Sequence, residues 1–394
     1  MQTVAKMGML AQSKVNFSIG FGILIIALFW SSLASAEEAS STPPLRKLRF
    51  FNVDLHISVI ADVRNIFEAM GHEVVDWSLS GHSWVFGREQ HPVEILNSQS
   101  WYYLDRDMCD RFYERYEDFL DGFDGFIVTH TPSFSMLYER TNKPIIIVNS
   151  TRYENPFTIS HDKWESLNHY LQAGVKNNRI FIVSNNKGDQ GYLKFYTGLH
   201  SEHIPSLCEY TRAKYIGSEE GFIFKSAFFP DLKNPQLNQN KSLSHPHSWW
   251  ELYDYKGVVH FPYQISTMSI FEQYTANVPL FFPSKKFLYA LQEERKLLTQ
   301  LSLYRQWDWG SPNIPGDLNN LNDPEVIRFW VEAADFYDEE NMPFIQYFDS
   351  FEHLEYLLET TDLHKVSEQM KGYNIYRKKM VYEKWEKLLR RIFV

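Results

Sequence analysis

Apolar and polar positions along this chain follow two rhythms, and the changes from one to the other mark its elements. LRFFNVDL (48–55) and HEVVDWSL (72–79) are short apolar runs of strand type, and between them SVIADVRNIFEAMG (58–71) has helical spacing and closes on Gly71. Strand, single-helix crossover and strand make a βαβ unit. The alternation continues through the charged helix DRDMCDRFYERYEDFLDG (105–122), then GFIVTH (125–130), SFSMLYERTN and KPIIIVNS (143–150). It goes on through a helix near 161–175, RIFIVSN (179–185), a helix near 189–199 and EHIPSLCEY (202–210). Such alternation predicts a mainly parallel sheet covered by helices on both faces.

A second series follows. GFIFKSAFF (221–229) reads as strand, and PDLKNPQLNQNKSLSHPHS (230–248) as a polar, proline-bearing loop. WWELYDYK (249–256) reads as helix, and GVVHFPYQISTMSIFEQYTANVPLFFPS (257–284) as strand, hydroxyl-rich turn, short helix and strand. Helix returns at 284–302, strand then helix at 343–359, and nearly continuous helix at 365–393. The pattern predicts an α/β chain of two domains, at 47–212 and 213–375, with a terminal helix at 376–394.

Ahead of the first strand, Lys6 and Lys14 precede the apolar run FSIGFGILIIALFWSSLA (17–34) and the small-residue motif Ala34–Ser35–Ala36. Residues 1–36 therefore read as a signal peptide or a retained signal anchor, and 37–46 as a short stem. Basic residues on the near side send the remainder across the membrane. The expected location is the ER or Golgi lumen as a single-pass type II protein, or outside the cell if cleavage follows Ala36.

The net charge of −10 argues against a nucleic-acid partner. Only Cys109 and Cys208 are present, with no C-x-x-C, so one disulfide or two buried thiols both fit and zinc does not. Sequons begin at Asn149, which ends a buried-looking strand, and at Asn240, which lies in a polar loop. The glycine-rich dinucleotide loop is absent, so no tightly bound NAD or FAD is expected. Asp105–Arg106–Asp107 has the D-x-D form of a metal–diphosphate site, but it opens a charged helix where aspartates cap; no metal is expected. His245–Pro246–His247 has no further ligands to join it.

In the stretch 257–284, Glu272 is followed at five and seven residues by Asn277 and Pro279, then by the apolar run Leu280–Phe281–Phe282. That spacing, with the long final helix, resembles the GT-B glycosyltransferases over roughly 46–394, and the resemblance implies two Rossmann-like domains facing across a cleft. Asn277 stands where the family usually has glycine, and asparagine tolerates left-handed backbone. Gln264 stands where two-glutamate retaining members have the first glutamate, so stereochemistry is left open. The resemblance implies that Glu272 grips a ribose or sugar, and that Lys225 supplies a cation to the donor diphosphate. Thr267 and Ser269, by their place at a helix start, can donate to phosphate oxygens or simply cap. His56, with Asp54 beside it, matches the loop that carries the catalytic base of inverting members, and His130 matches a histidine that touches the donor sugar. Arg152, Tyr153 and Glu154, and less specifically Ser184, Asn185 and Asn186, follow strands and are expected to read the acceptor.

The expected activity is transfer of a sugar from a nucleotide-sugar donor to a hydroxyl on a glycan or glycoconjugate. The alternatives are a nucleotide-sugar epimerase-like enzyme and a translocated two-domain ligand-binding protein without catalysis.

Overall fold

In the computed structural model, which describes residues 45–87, 91–225, 229, 234–239, 248–301 and 316–394, the strands form two parallel sheets. The first takes β1 (Arg49–Asp54), β2 (Glu73–Ser78), β3 (Gly125–Val128), β4 (Ile145–Asn149), β5 (Ile180–Ser184) and β6 (Glu202–His203), in the order β2-β1-β3-β4-β5-β6. Its helices are α1 (Ile57–Ala69), α2 (Arg106–Leu120), α3 (His161–Lys176) and α4 (Lys187–Thr197). β4 is buried along its whole length, which is why its residues are a continuous apolar run instead of an alternation.

The second sheet takes β7 (Phe222–Lys225), β8 (Leu237–Gln239), β9 (Val258–His260), β10 (Leu280–Pro283) and β11 (Gln346–Phe348), in the order β11-β10-β9-β7-β8. With it go α5 (Trp249–Leu252), α6 (Met268–Thr275), α7 (Lys285–Arg295), α8 (Pro324–Glu332), α9 (Phe351–Thr360) and α10 (Leu363–Phe393). Each sheet has its first strand between its second and third. The connections therefore part between β1 and β3 and again between β7 and β9, and a crevice opens at the carboxyl ends of those strands. Two Rossmann-like halves are the arrangement that the GT-B resemblance implies. Asn277, at the turn from α6 into β10, has φ 65°, the left-handed backbone expected where that family has glycine.

The chain passes between the halves twice. After β6 it runs through Ser206, Leu207 and Cys208, where buried Asp62 of α1 accepts the Leu207 N–H at 3.2 Å and the Cys208 N–H at 2.6 Å. It returns along α10, whose Trp385 packs on Phe67 and whose Phe393 packs on Phe50, with ring centroids 5.1 and 5.6 Å apart. At the crossing, fully buried Arg377 of α10 donates to Asn341 at 2.8 Å, to Thr275 at 3.0 Å and to the Ser206 carbonyl.

Cys109 and Cys208 are both buried free thiols, so no disulfide joins them. Asn149 is buried and its amide donates to the Asp189 carbonyl at 3.2 Å, which closes its sequon to a glycan. The apolar run 17–34, the Ala34–Ser35–Ala36 motif, most of the stem, the sequon at Asn240 and His245–Pro246–His247 lie outside the described residues. Among the described residues, no helix is long and apolar enough to cross a membrane.

Candidate active site

Both crevices open on one cavity of about 320 Å³. The first sheet supplies His56 after β1, His130 after β3, Ser150 to Arg152 after β4, and Asn185 and Asp189 after β5. The second supplies Gln264, Ser266, Thr267 and Ser269 ahead of and within the first turn of α6, with Gln300 beside them. Parallel strands deliver all these loops to the same edge.

Asp54, the last residue of β1, shapes the first-sheet wall from behind. It is buried, and its Oδ2 accepts the N–H groups of Thr129 and His130, each at 2.9 Å, and the Thr129 hydroxyl at 3.0 Å. Its Oδ1 accepts the Leu55 N–H at 2.6 Å and the Thr131 hydroxyl at 3.2 Å. Asp54 thus staples the ends of β1 and β3 together and fixes the loop that carries His130, without lining the cavity itself.

The His56 and His130 rings lie 4.9 Å apart between centroids, tilted by 37°. Burial lowers the His56 pKa below the ordinary imidazole value, against the opposing pull of the Asp54 charge. Burial lowers the His130 pKa much further, helped by the Arg152 charge and by the neighbouring His56, since the two rings resist being protonated together. Both imidazoles are therefore neutral at pH 7. His56 Nδ1 is buried and has no hydrogen-bond partner.

Among the described residues that line the cavity, Arg152 is the permanent cation. It is only 3% exposed, lies with its guanidinium 5.1 Å above the Trp330 ring, and brings Nη1 to 3.2 Å from Asp189 Oδ1. That approach is an ion pair without hydrogen-bond alignment, and both Nε and Nη1 are left without an acceptor. Asp189 is itself held at the start of α4: its N–H donates to Asn186 Oδ1 at 2.7 Å and its Oδ2 accepts from Asn186 Nδ2 at 2.8 Å.

Tyr153 and Glu154, expected beside Arg152, turn inward. The Tyr153 hydroxyl donates to Asn168 at 2.7 Å, and Glu154 accepts from the Tyr192 hydroxyl at 2.5 Å. Thr267 and Ser269 do reach the cavity, their hydroxyls 3.0 Å apart. Glu272, one turn later on α6, does not. Its Oε1 accepts from the Tyr210 hydroxyl at 2.5 Å and its Oε2 from the Trp249 indole N–H at 3.0 Å, so α6 turns it toward the link between the halves. Lys225 ends β7 in register with His260. Asp105 caps α2 by accepting the Met108 N–H at 2.8 Å, and Asp107 accepts from Arg111 at 2.8 Å. Asp189, Ser266 and Gln300 were not singled out from the sequence, and Gln264 was noted only as a departure from the two-glutamate pattern. For Asp189 a signal existed: Asn186 and Asp189 stand three apart after a strand, the spacing of a reciprocal helix cap.

No family model matches this chain, and no curated protein matches it. Among solved structures it is similar to the glycosyltransferase SnogD from Streptomyces nogalater, at 9% identity over 66% of this chain and 95% of that one, with a TM-score of 0.37. It is similar to CalG4, the calicheamicin glycosyltransferase, at 10% identity over 89% of this chain and 100% of that one, with a TM-score of 0.43. The glycotransferase of kitacinnamycin gives 10% identity, the same coverage of 89% and 100%, and a TM-score of 0.44. Likenesses at this level assign no role to any residue of the cavity.

Proposed function

We propose that this chain is a glycosyltransferase that moves a sugar from a nucleotide-sugar donor to a hydroxyl acceptor, with no tightly bound cofactor. The observation that carries the reading is the neutral imidazole of His56, its Nδ1 without a partner, on the wall of a polar cavity between two Rossmann-like halves.

His56 takes the proton of the acceptor hydroxyl as that oxygen bonds to the anomeric carbon of the donor sugar. The bond from that carbon to the donor phosphate breaks, and its electron pair leaves with the nucleoside diphosphate. His130, neutral and fixed through its backbone by Asp54, packs against the base and limits its rotation. The amide and hydroxyl groups of Gln264, Ser266, Thr267, Ser269 and Gln300 match sugar hydroxyls and phosphate oxygens. Enclosure between the halves keeps water from competing with the acceptor.

The test is a panel of UDP- and GDP-sugars with the full chain, following release of nucleoside diphosphate in the presence of hydroxyl acceptors. Release by the wild type that falls in His56→Ala supports the reading. Absence of release and of nucleotide binding across the panel overturns it.

A further inference from the structure

Arg152 stands on the loop after β4 and lines the cavity from the first half, yet its own half does not hold its guanidinium in place. Nη1 lies 3.2 Å from Asp189 Oδ1, and neither atom has a hydrogen-bond partner. Nε also lacks an acceptor. A guanidinium and a carboxylate left to themselves settle into aligned, paired hydrogen bonds. Something other than Asp189 therefore sets where this guanidinium lies.

The second half supplies it. Trp330 of α8 is fully buried, and its ring lies 5.1 Å from the Arg152 guanidinium and 5.6 Å from the Tyr192 ring of α4. The Trp330 indole N–H donates to the Leu318 carbonyl at 2.9 Å, which ties α8 to the turn at 317–321. In that turn Asn319 Nδ2 donates to the Tyr192 and Tyr196 hydroxyls, each at 3.0 Å, and the Tyr196 hydroxyl donates to Asp317. Tyr192 passes the contact on, because its own proton goes to Glu154 Oε1 at 2.5 Å. Glu154 is wholly buried and stands two residues after Arg152 on the same loop. One route thus reaches the guanidinium directly, and the other reaches the backbone that carries it.

We propose that Trp330 and Asn319, both on the second half, are positioning residues for Arg152. Trp330 fixes the face of the guanidinium, and Asn319 fixes the loop beneath it through Tyr192 and Glu154. The first-half wall of the cavity is complete only where the second half touches α4. None of these four residues lines the cavity, so their effect on the reaction passes through Arg152. The assignment deepens the glycosyl-transfer reading and rests on it for what Arg152 then acts upon.

The test uses the full chain with Asn319→Ala and Asn319→Asp. Asn319 is only half-buried, and both changes leave Trp330 and Tyr192 in place. Asn319→Asp keeps the volume and turns the donor into a carboxylate beside Asp317, which Asn319 Nδ2 now approaches at 3.2 Å. Phenylglyoxal modifies accessible guanidinium groups, and its reaction at Arg152 is followed by peptide mass mapping. Arg377, fully buried at the crossing between the halves, is the internal control. Wild type is expected to react slowly at both. Each variant is expected to react about tenfold faster at Arg152, with Arg377 unchanged. Unchanged reactivity of Arg152 in both variants, or a matching rise at Arg377, overturns the assignment. Sugar transfer is then measured with and without Arg152→Met. Each Asn319 change should lower kcat/KM by about 10- to 100-fold when Arg152 is present, and by less than about twofold in Arg152→Met. Equal losses in both backgrounds make Asn319 a structural residue and overturn the assignment. Faster labelling of Arg152 without any transfer by the wild type keeps the positioning and removes the transferase. Transfer by the wild type with unchanged labelling does the reverse.

Discussion

A buried imidazole packed on a second one holds its proton weakly, because each ring strips water from the other. His56 and His130 are in that position, and the pH dependence of transfer should show it. A base whose pKa is lowered stays unprotonated as pH falls, so the rate should hold through pH 6.5 and drop only in more acid solution. A profile that falls off above pH 7 would remove His56 as the base. His56→Ala should cost about 10²- to 10⁴-fold in turnover, measured by nucleoside diphosphate release. Glu272 belongs to another part of the molecule. Glu272→Ala should destabilise the fold by about 1–3 kcal/mol in chemical denaturation, since it strands the Tyr210 hydroxyl and the Trp249 indole N–H. His56, His130 and Arg152 could be found in the sequence because each follows a buried strand, and parallel topology sends every such loop to one edge. Glu272 could not be placed in the same way. Sequence spacing put it on α6, but which way the helix turns that side chain is decided by Tyr210 and Trp249, far off along the chain.

Elements buried on both faces, such as β4 and β5, stand out as unbroken apolar runs and fall within a residue or two of their expected ends. The segment from Pro132 to Thr141 is a 3₁₀ helix, and neither rhythm in the sequence marks it. α7 stops at Arg295 instead of running to 302, because Lys296 takes a left-handed backbone at φ 52°. α8 was missed: Asp323 and Pro324 offer a cap followed by proline in the first helical position, but the periodic stretch after them is only nine residues. α4 meets the second half at Gly188. A Cβ there would overlap Ile265 Cδ1 and come within 3.3 Å of Trp330. Gly188→Ala should therefore destabilise by about 1–3 kcal/mol through overpacking, measured by urea denaturation. A loss under about 0.3 kcal/mol would mean that the two halves do not meet there in solution.

The molecule as a whole is tied where its halves join, and the tie is sensitive to acid in an unusual direction. Burial raises the Asp62 pKa to about 6, only partly offset by the N–H groups of Cys208 and Leu207, the Ser206 hydroxyl and the Arg377 charge. The folded state thus holds a proton that the unfolded chain releases at its ordinary carboxyl pKa. Between that value and pH 6 the folded state binds more protons, so this group adds stability as pH falls, by about 3 kcal/mol at most. His56, His130 and His203 act in the opposite sense below pH 6.5, because burial keeps them neutral when folded. The comparison that isolates Asp62 is with Asp62→Asn. Thermal melts at pH 7.5 and 5.0 should show wild type gaining on the variant at the lower pH. A constant difference between the two would mean that Asp62 is not the group responsible.

Ser206, on the outgoing link, and Arg377, on the returning helix, are bonded to each other, so both passages of the chain run through one place. Two leaves hung on pins set side by side can swing, but they cannot slide or part. A rotation of one half against the other would have its axis at that junction, and the Arg152 and Thr267 walls of the cavity would then change their angle to each other more than their distance from the pin.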